Sequence, residues 1–291
     1  MYPGRFRYES PRSLDEAVAL LHEAGGEGKV LAGGQSLIPL LKLRFASPSI
    51  LVDINNLPGL DHVERRPDGS FRIGALARHA MLERSADIAA YQPTAAAAAP
   101  LVADPIVRNR GTLVGSVCHA DPQGDWAAVM IAVGGSVVAH GPGGRRSIPV
   151  ADFVTGPFQN VLAYDEIAVE AEIPAPTGTI TGGFLKLERR VGDFATAGAA
   201  ISVQHAGGRV VRAGIALTGV GPATVDAAAA AGALLDRPLG ADTIGRAADL
   251  AAEAATPRSD HRGSADYKRH VVHTFVRRIL AGIAEQNERA A

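Results

Sequence analysis

Two glycine-rich stretches carry residue types that can hold an anion without a charged side chain. Ala32-Gly33-Gly34-Gln35-Ser36-Leu37 follows a short strand candidate, Lys29-Val30-Leu31, and leads into a helix start. Residues without side chains let several backbone N–H groups turn inward as a nest, and the helix N-terminus adds positive potential. Gly111-Thr112-Leu113-Val114-Gly115-Ser116 again leaves backbone accessible and adds the hydroxyls of Thr112 and Ser116. A diphosphate needs donors from more than one direction, so paired loops of this kind suit a dinucleotide. Either loop alone reads more readily as a tight turn without ligand, because short glycine motifs are weak signals. Together, with two hydroxyls at hand, they favour phosphate binding.

Other chemistry finds less support. There is no G-x-x-x-x-G-K-[ST] phosphate loop and no H-E-x-x-H zinc helix. Gly219-Val220-Gly221-Pro222 lacks the third glycine of a Rossmann fingerprint and has proline where the helix should open. His270 and His273 share a helix face, but no acidic or Cys partner completes a metal set. Ser36 has no G-x-S-x-G elbow, and helix N-cap is its better role. Cys118 is the only cysteine, which excludes an internal disulfide, a Cys-rich zinc site and an iron–sulfur cluster on this chain. Lys plus Arg is 29 against 30 Asp plus Glu, a net charge of −1. That balance gives little support to a nucleic-acid binder, which needs a basic face. No apolar run approaches the roughly 20 residues of a membrane span. The first residues run into a charged segment and not an apolar one, so no cleaved signal peptide is expected and the cytoplasm is the expected location.

These residues need elements to hold them. The chain has 291 residues, and at roughly 150 residues per domain that suggests about two domains. Hydrophobic residues make up 47% and charged residues 20%, enough for an ordinary core. Ser13-Leu14-Asp15-Glu16 is a capping box; Leu14, Ala17, Val18 and Leu21 share one helical face, and Gly25-Gly26 ends the helix. With a helix over 37–44 and a buried strand over 50–54, this start reads as a small α/β unit. Strands at 71–74 and 136–139 flank an Ala-rich helix over 95–103 and the second glycine stretch, 110–125. Pro142-Gly143-Gly144 reads as a hairpin turn, 167–173 as a strand, and Pro174-Ala175-Pro176-Thr177-Gly178 as a linker. Beyond it, 183–187, 199–204 and 210–217 read as a meander, with Gly207-Gly208 as a turn. Helices follow over 223–235, 243–255 and 265–286, the last with Val272, Phe275, Ile279 and Ile283 as a buried stripe. The fold class expected is α+β.

Ala32-Gly33-Gly34-Gln35-Ser36-Leu37-Ile38-Pro39 closely resembles the first flavin motif of the FAD-binding medium subunits of molybdenum hydroxylases, the family of carbon monoxide dehydrogenase and the bacterial relatives of xanthine dehydrogenase. Arg110 to Ser116, continuing to His119-Ala120-Asp121-Pro122 and Asp125, is similar to the second, usually T-[IV]-G-G-N followed by D-P and a further Asp. Lys186-Leu187-Glu188-Arg189-Arg190-Val191-Gly192-Asp193-Phe194-Ala195 resembles the K-x-x-R-[RK]-x-G-D-[YF]-A signature. Ser259 to Lys268 resembles the start of the family's last helix. The four motifs occur in family order over nearly the whole chain.

The resemblance implies a two-part FAD-binding domain over 1–175, a small α/β piece at about 1–56 and a larger α+β piece over 57–175. A C-terminal domain over 178–287, a small antiparallel sheet and three helices, would follow. It implies that Ala32, Gly33, Gly34, Gln35, Ser36, Leu37, Gly111, Thr112, Leu113, Val114, Gly115 and Ser116 hold FAD. Backbone N–H groups of 32–36 and 111–115 would meet the pyrophosphate, with hydroxyl contacts from Thr112 and Ser116. Asp125 would accept from FAD hydroxyls as a carboxylate with no counter-charge. Lys186 would lie close to the cofactor, and Phe194 would cover one face of the isoalloxazine. Read from the residues alone, Lys186 is equally a solvated strand lysine and Phe194 equally a core aromatic. Three positions depart from the family: Gln35 for a frequent His, Ser116 for Asn, and Val114 for the first of two glycines. Val114 puts a β-branched side chain where backbone should approach phosphate, which reads as a re-angled loop still binding through Gly115 and Thr112.

The function implied is electron transfer through FAD in a heterotrimeric-type molybdenum hydroxylase. Substrate is oxidised at a molybdopterin centre on a large subunit, electrons cross [2Fe–2S] clusters on a small subunit, and FAD here hands them to an external acceptor. Molybdopterin and clusters would sit on partners only, in a dimer of heterotrimers, and this chain would carry no catalytic residue and no metal ligand. Arg189 and Arg190 are candidates for docking or for a solvated strand edge. The rival functions are a stand-alone flavoprotein oxidoreductase, which would need its own base over the flavin, and an assembly subunit without flavin.

Overall fold

A computed structural model describes residues 2–290. The chain begins with β1 (Arg7–Glu9), α1 (Leu14–Glu23), β2 (Gly28–Leu31), α2 (Leu37–Leu43) and β3 (Ile50–Asp53). The strands form a parallel sheet in the order β1-β3-β2; parallel neighbours need crossovers, which the helices supply. Ser13 Oγ accepts from the Glu16 N–H at 3.1 Å, while Glu16 accepts from the Arg12 N–H at 2.7 Å. The capping box therefore closes one residue upstream of its expected partner. Ala17, Val18 and Leu21 are the face of α1 that is buried. β1 is polar and lies at the sheet edge, so its sequence pattern gave no strand signal.

The second segment comprises β4 (Val63–Arg65), β5 (Phe71–Gly74), α3 (His79–Arg84), α4 (Ala86–Tyr91), α5 (Pro93–Ala98), α6 (Pro105–Arg108), α7 (Leu113–His119), α8 (Asp125–Ala132), β6 (Ser136–Gly141), β7 (Gly144–Pro149), α9 (Val150–Phe153), β8 (Val154–Gly156), β9 (Gln159–Asn160) and β10 (Ile167–Ile173). Five of the strands form a sheet in the order β4-β5-β10-β6-β7, with β10 central and antiparallel to β5 and β6. A strand covered on both faces reads as a continuous apolar run, and β10 is buried almost throughout. Its buried Glu170 is bonded by Arg72 and His62. Two expectations are corrected here. The Ala-rich helix stops at Ala98 and tightens to a 3₁₀ turn over 99–101, where Pro100 lacks the N–H a continuing helix needs. The stretch 110–125 is not one loop: 113–119 is the helix α7, and Asp125 is the first residue of α8.

The last segment comprises β11 (Thr179–Leu187), β12 (Ala197–Ala206), β13 (Arg209–Thr218), β14 (Val225–Asp226), α10 (Ala228–Gly232), α11 (Ala241–Ala254) and α12 (Ala265–Ala290). The sheet is antiparallel in sequence order. Gly207 and Gly208 take positive φ (57° and 73°) at the β12–β13 turn, the backbone a tight hairpin of right-handed twist requires. The helix expected over 223–235 shrinks to α10 because Val225 and Asp226 pair with β13 as β14. One face of this sheet packs on α5 and α8, the other on α10 and α12, with α11 packed on those two helices. Gly214 permits the first contact: a Cβ there would collide with the carbonyl of Ala132 in α8. In α12 the buried stripe is Val272, Val276, Ile279, Leu280 and Ile283, with Phe275 only half-buried.

Candidate functional site

The first glycine loop leaves β2 and enters α2; the second leaves α6 and enters α7. The fold brings them into contact. A Cβ on Gly33 would collide with the Arg110 carbonyl and lie 2.8 Å from Gly111 Cα, so only a residue without a side chain permits this approach. Gly34 has φ 74°, in the left-handed region that glycine enters without steric cost. The exposed Gln35 donates from Nε2 to the Gly33 carbonyl at 3.2 Å. Ser36 does not cap α2, which corrects its expected role. Its backbone is already helical (φ −99°, ψ −46°), whereas a capping residue is extended. Leu37 is the first residue of α2 and half-buried.

In the second motif Thr112 is the extended N-cap of α7, its hydroxyl oxygen accepting from the Gly115 N–H at 3.0 Å. The Gly115 N–H is thus engaged within the chain, contrary to its expected role on phosphate. Leu113 and Val114 open α7, their side chains buried in the core at 0% and 2% exposure. Val114 is not a re-angled loop residue; it is a helical core residue whose side chain points away from solvent. First-turn N–H groups of a helix have no intrahelical acceptor, which leaves that of Val114 as a donor here, while Leu113 follows Thr112 in its antiparallel bridge to Arg78. Ser116 is half-buried and faces the start of α8, its Oγ 4.0 Å from the Cβ position of Gly124.

Asp125, the first residue of α8, is buried and does have a counter-charge. Its Oδ2 accepts from Lys186 Nζ at 3.0 Å. Lys186, in β11, is 1% exposed at its side chain, so it is no solvated lysine. Its ammonium also donates to the carbonyls of Leu101 and Asp193 and lies 3.3 Å from Glu188 Oε2. Asp125 Oδ1 is buried with no hydrogen-bond partner among the described residues. Burial pushes the Asp125 carboxyl up to about 6, against the opposing pull of Lys186. An unpartnered carboxylate oxygen beside the α8 N-terminus is an acceptor awaiting a donor, since buried polar atoms are rarely left unbonded.

Phe194 is 48% exposed and so is not a core aromatic. Its N–H donates to Asp193 Oδ1 at 2.8 Å and its carbonyl accepts from Arg262 at 2.8 Å, which fixes the backbone and leaves the ring outward. Arg189 is 52% exposed and lies 3.5 Å from Asp193.

Four residues that sequence reasoning passed over complete the arrangement. Arg78 and Asn55 bond to the carbonyls of both glycine loops. Trp126 Nε1 donates to His79 Nδ1 at 2.9 Å, so the neutral imidazole carries its proton on Nε2. Burial lowers His79 to about 4, and its ring edge abuts Gly111, where a Cβ would lie 2.7 Å from Nε2. The single tryptophan was a signal in the sequence; isolated Arg78, His79 and Asn55 were not. Among the described residues no group of three or more His, Cys, Asp or Glu could hold a metal, and no helix is long and apolar enough to cross a membrane. The Cys118 thiol is pushed up to about 12 by burial, far from a reactive thiolate. The geometry suits holding a diphosphate and offering a hydroxyl acceptor.

Comparison with known proteins identifies the family of the chain. Residues 4–176 match the family described as FAD binding domain in molybdopterin dehydrogenase, and residues 183–283 match the CO dehydrogenase flavoprotein C-terminal domain. The chain is 40% identical to the carbon monoxide dehydrogenase medium chain of Hydrogenophaga pseudoflava, covering 96% of this chain and 97% of that one. It is 37% identical to the 6-hydroxypseudooxynicotine dehydrogenase complex subunit alpha of Paenarthrobacter nicotinovorans, over 97% of this chain and 95% of that protein. Its fold superposes on a solved structure of the Hydrogenophaga pseudoflava carbon monoxide dehydrogenase with TM-score 0.92 at 42% identity, covering 97% and 98% of the two chains.

Proposed function

The chain belongs to the family of FAD-binding medium subunits of molybdenum hydroxylases, and from that membership we propose that it holds FAD where loops 32–36 and 111–115 meet and relays electrons through it. The observation that carries the reading is the contact of Gly33 with Arg110 and Gly111. It joins two nests into one cradle that a single Cβ would fill. The orphaned Asp125 Oδ1 supplies an acceptor for a cofactor hydroxyl, and the outward ring of Phe194 offers an aromatic face. The roles of Ala32, Gly34, Gln35, Ser36, Leu37, Thr112, Leu113, Gly115, Ser116, Lys186 and Phe194 at FAD are assigned on this basis. Thr112 and Gly115 act by starting α7, and Lys186 by neutralising Asp125. FAD, when bound, supplies the redox chemistry, taking electrons from partner clusters and releasing them to an acceptor.

Homologous medium chains work beside other subunits, and this chain takes the same place in a multisubunit molybdenum hydroxylase. Molybdopterin and [2Fe–2S] clusters belong to those partners, since one cysteine cannot ligate a cluster. A dimer of heterotrimers, an external acceptor and a cytoplasmic location complete the reading, as does a division of the chain near 174–178. Purification of the chain alone decides the main point. Flavin absorbance bands without turnover of substrate are expected; a chain that takes up no flavin at any loading overturns the reading.

A further inference from the structure

Two side chains outside both glycine loops tie them together. Arg78, half-buried just before α3, donates from Nη1 to the Arg110 carbonyl and from Nη2 to Asn55 Oδ1, each at 2.7 Å. Asn55 in turn donates from Nδ2 to the Ala32 carbonyl at 2.8 Å. Asp53 Oδ1 fixes Asn55 by accepting from its backbone N–H at 2.9 Å and from Nδ2 at 2.6 Å. The backbone adds to this: Arg78 forms an antiparallel bridge with Thr112, and the His79 N–H donates to the Gly111 carbonyl at 3.0 Å.

A loop that cradles an anion must present N–H groups and turn its carbonyl oxygens elsewhere, because a carbonyl facing phosphate repels it. Three carbonyls in the cradle carry side-chain donors: Ala32 from Asn55, Gly33 from Gln35 and Arg110 from Arg78. The Arg110 carbonyl held by Arg78 is also the atom against which Gly33 packs. One guanidinium therefore fixes the contact on which the cradle depends. Both its bonds go to neutral oxygens, and the nearby carboxylates of Asp53 and Asp61 act on it without bonding it.

We propose that Arg78 and Asn55 form a latch that sets the spacing of the two loops for one diphosphate, with Arg78 as a positioning residue. The inference rests on the FAD reading and concerns this chain's own residues.

The test titrates FAD, ADP and AMP into the full-length chain freed of flavin. In Arg78→Lys the charge stays, but an ammonium does not reproduce a planar fork aimed at two acceptors. FAD and ADP should each weaken by about tenfold or more, and AMP by no more than about threefold, as these shifts read in Kd. Asn55→Ala should behave alike, and the double variant should be no weaker than the worse single one, because both act through one chain of bonds. Thermal midpoints without flavin should stay within a few degrees of wild type. Arg78→Lys that binds FAD as wild type does, or equal losses for ADP and AMP, would overturn the latch. Should Arg78→Lys fail to fold, Asn55→Ala decides on the same criteria. A wild-type chain that takes neither FAD nor ADP overturns the FAD reading itself, an outcome distinct from failure of the latch alone.

Discussion

Lys186 Nζ lies 3.0 Å from Asp125 Oδ2, a buried ion pair that joins β11 to the first turn of α8. Burial raises the carboxyl to about 6 from an ordinary 3.8. Between these two values the native state holds a proton that the unfolded chain has lost, so this group's contribution to stability falls as pH rises through the window. A ligand hydroxyl donating to Oδ1 favours the ionised form and reverses that loss. FAD affinity should therefore strengthen as pH rises through about 6, by up to about tenfold per unit below it. Titrations across this range check the slope, and Asp125→Asn should flatten it. A flat profile in the wild type would remove Asp125 from the cofactor's partners.

Lys186→Met isolates the other half of the pair. Removing the ammonium leaves the buried Asp125 and the half-buried Glu188 without compensation, which costs about 3–5 kcal/mol for a buried pair. The urea midpoint should fall accordingly, and Asp125→Asn added to the same chain should recover part of the loss. An unchanged midpoint would mean that the cluster is hydrated in solution.

Gly33→Ala and Gly34→Ala should fail for different reasons. At Gly34 the cost is backbone strain, since φ is 74°, and a non-glycine residue there loses about 1–2 kcal/mol. At Gly33 the new methyl meets the Arg110 carbonyl and pushes the loops apart. Flavin content should fall more in Gly33→Ala than in Gly34→Ala, with circular dichroism unchanged in both. The reverse order would dissociate the cradle from the loop contact.

Patterned elements were legible in the sequence. The start of α1, the hairpin at Pro142, the central strand β10 and the meander with its Gly207-Gly208 turn follow from capping, turn and periodicity rules that act locally. The pair of glycine stretches was legible as a feature, and its resemblance to flavin motifs identified the family. What stayed hidden depended on distant residues. Asp125 looked free because its counter-charge comes from Lys186, on the distant strand β11. The second glycine stretch looked like loop because Val114 and Leu113 owe their burial to the core around α7. Arg78 and Asn55 form no motif, and only the tertiary fold gives them acceptors on both loops.

Val114→Gly follows from that correction. The family's usual glycine at this position would here empty a core position in the first turn of α7. Loss of a buried valine side chain costs roughly 1.5–3 kcal/mol. Thermal unfolding of the flavin-free chain should shift down markedly, with no gain in FAD affinity. A variant as stable as wild type that binds FAD more tightly would restore the loop reading.

Phe194→Ala tests the aromatic face with little interference from stability. The ring is 48% exposed, and surface substitutions of this sort usually stay within about 0.5 kcal/mol. The backbone bonds of Phe194 to Asp193 and Arg262 do not involve the ring and should persist. If the ring covers the isoalloxazine, its loss removes a stacking contact of about 0.5–1.5 kcal/mol, and bound flavin becomes more fluorescent and more open to external quenchers. Phe194→Tyr keeps a stacking face and should resemble wild type. A large drop in thermal midpoint would make Phe194 a packing residue. Flavin fluorescence that is the same in Ala, Tyr and wild-type chains would place the isoalloxazine elsewhere.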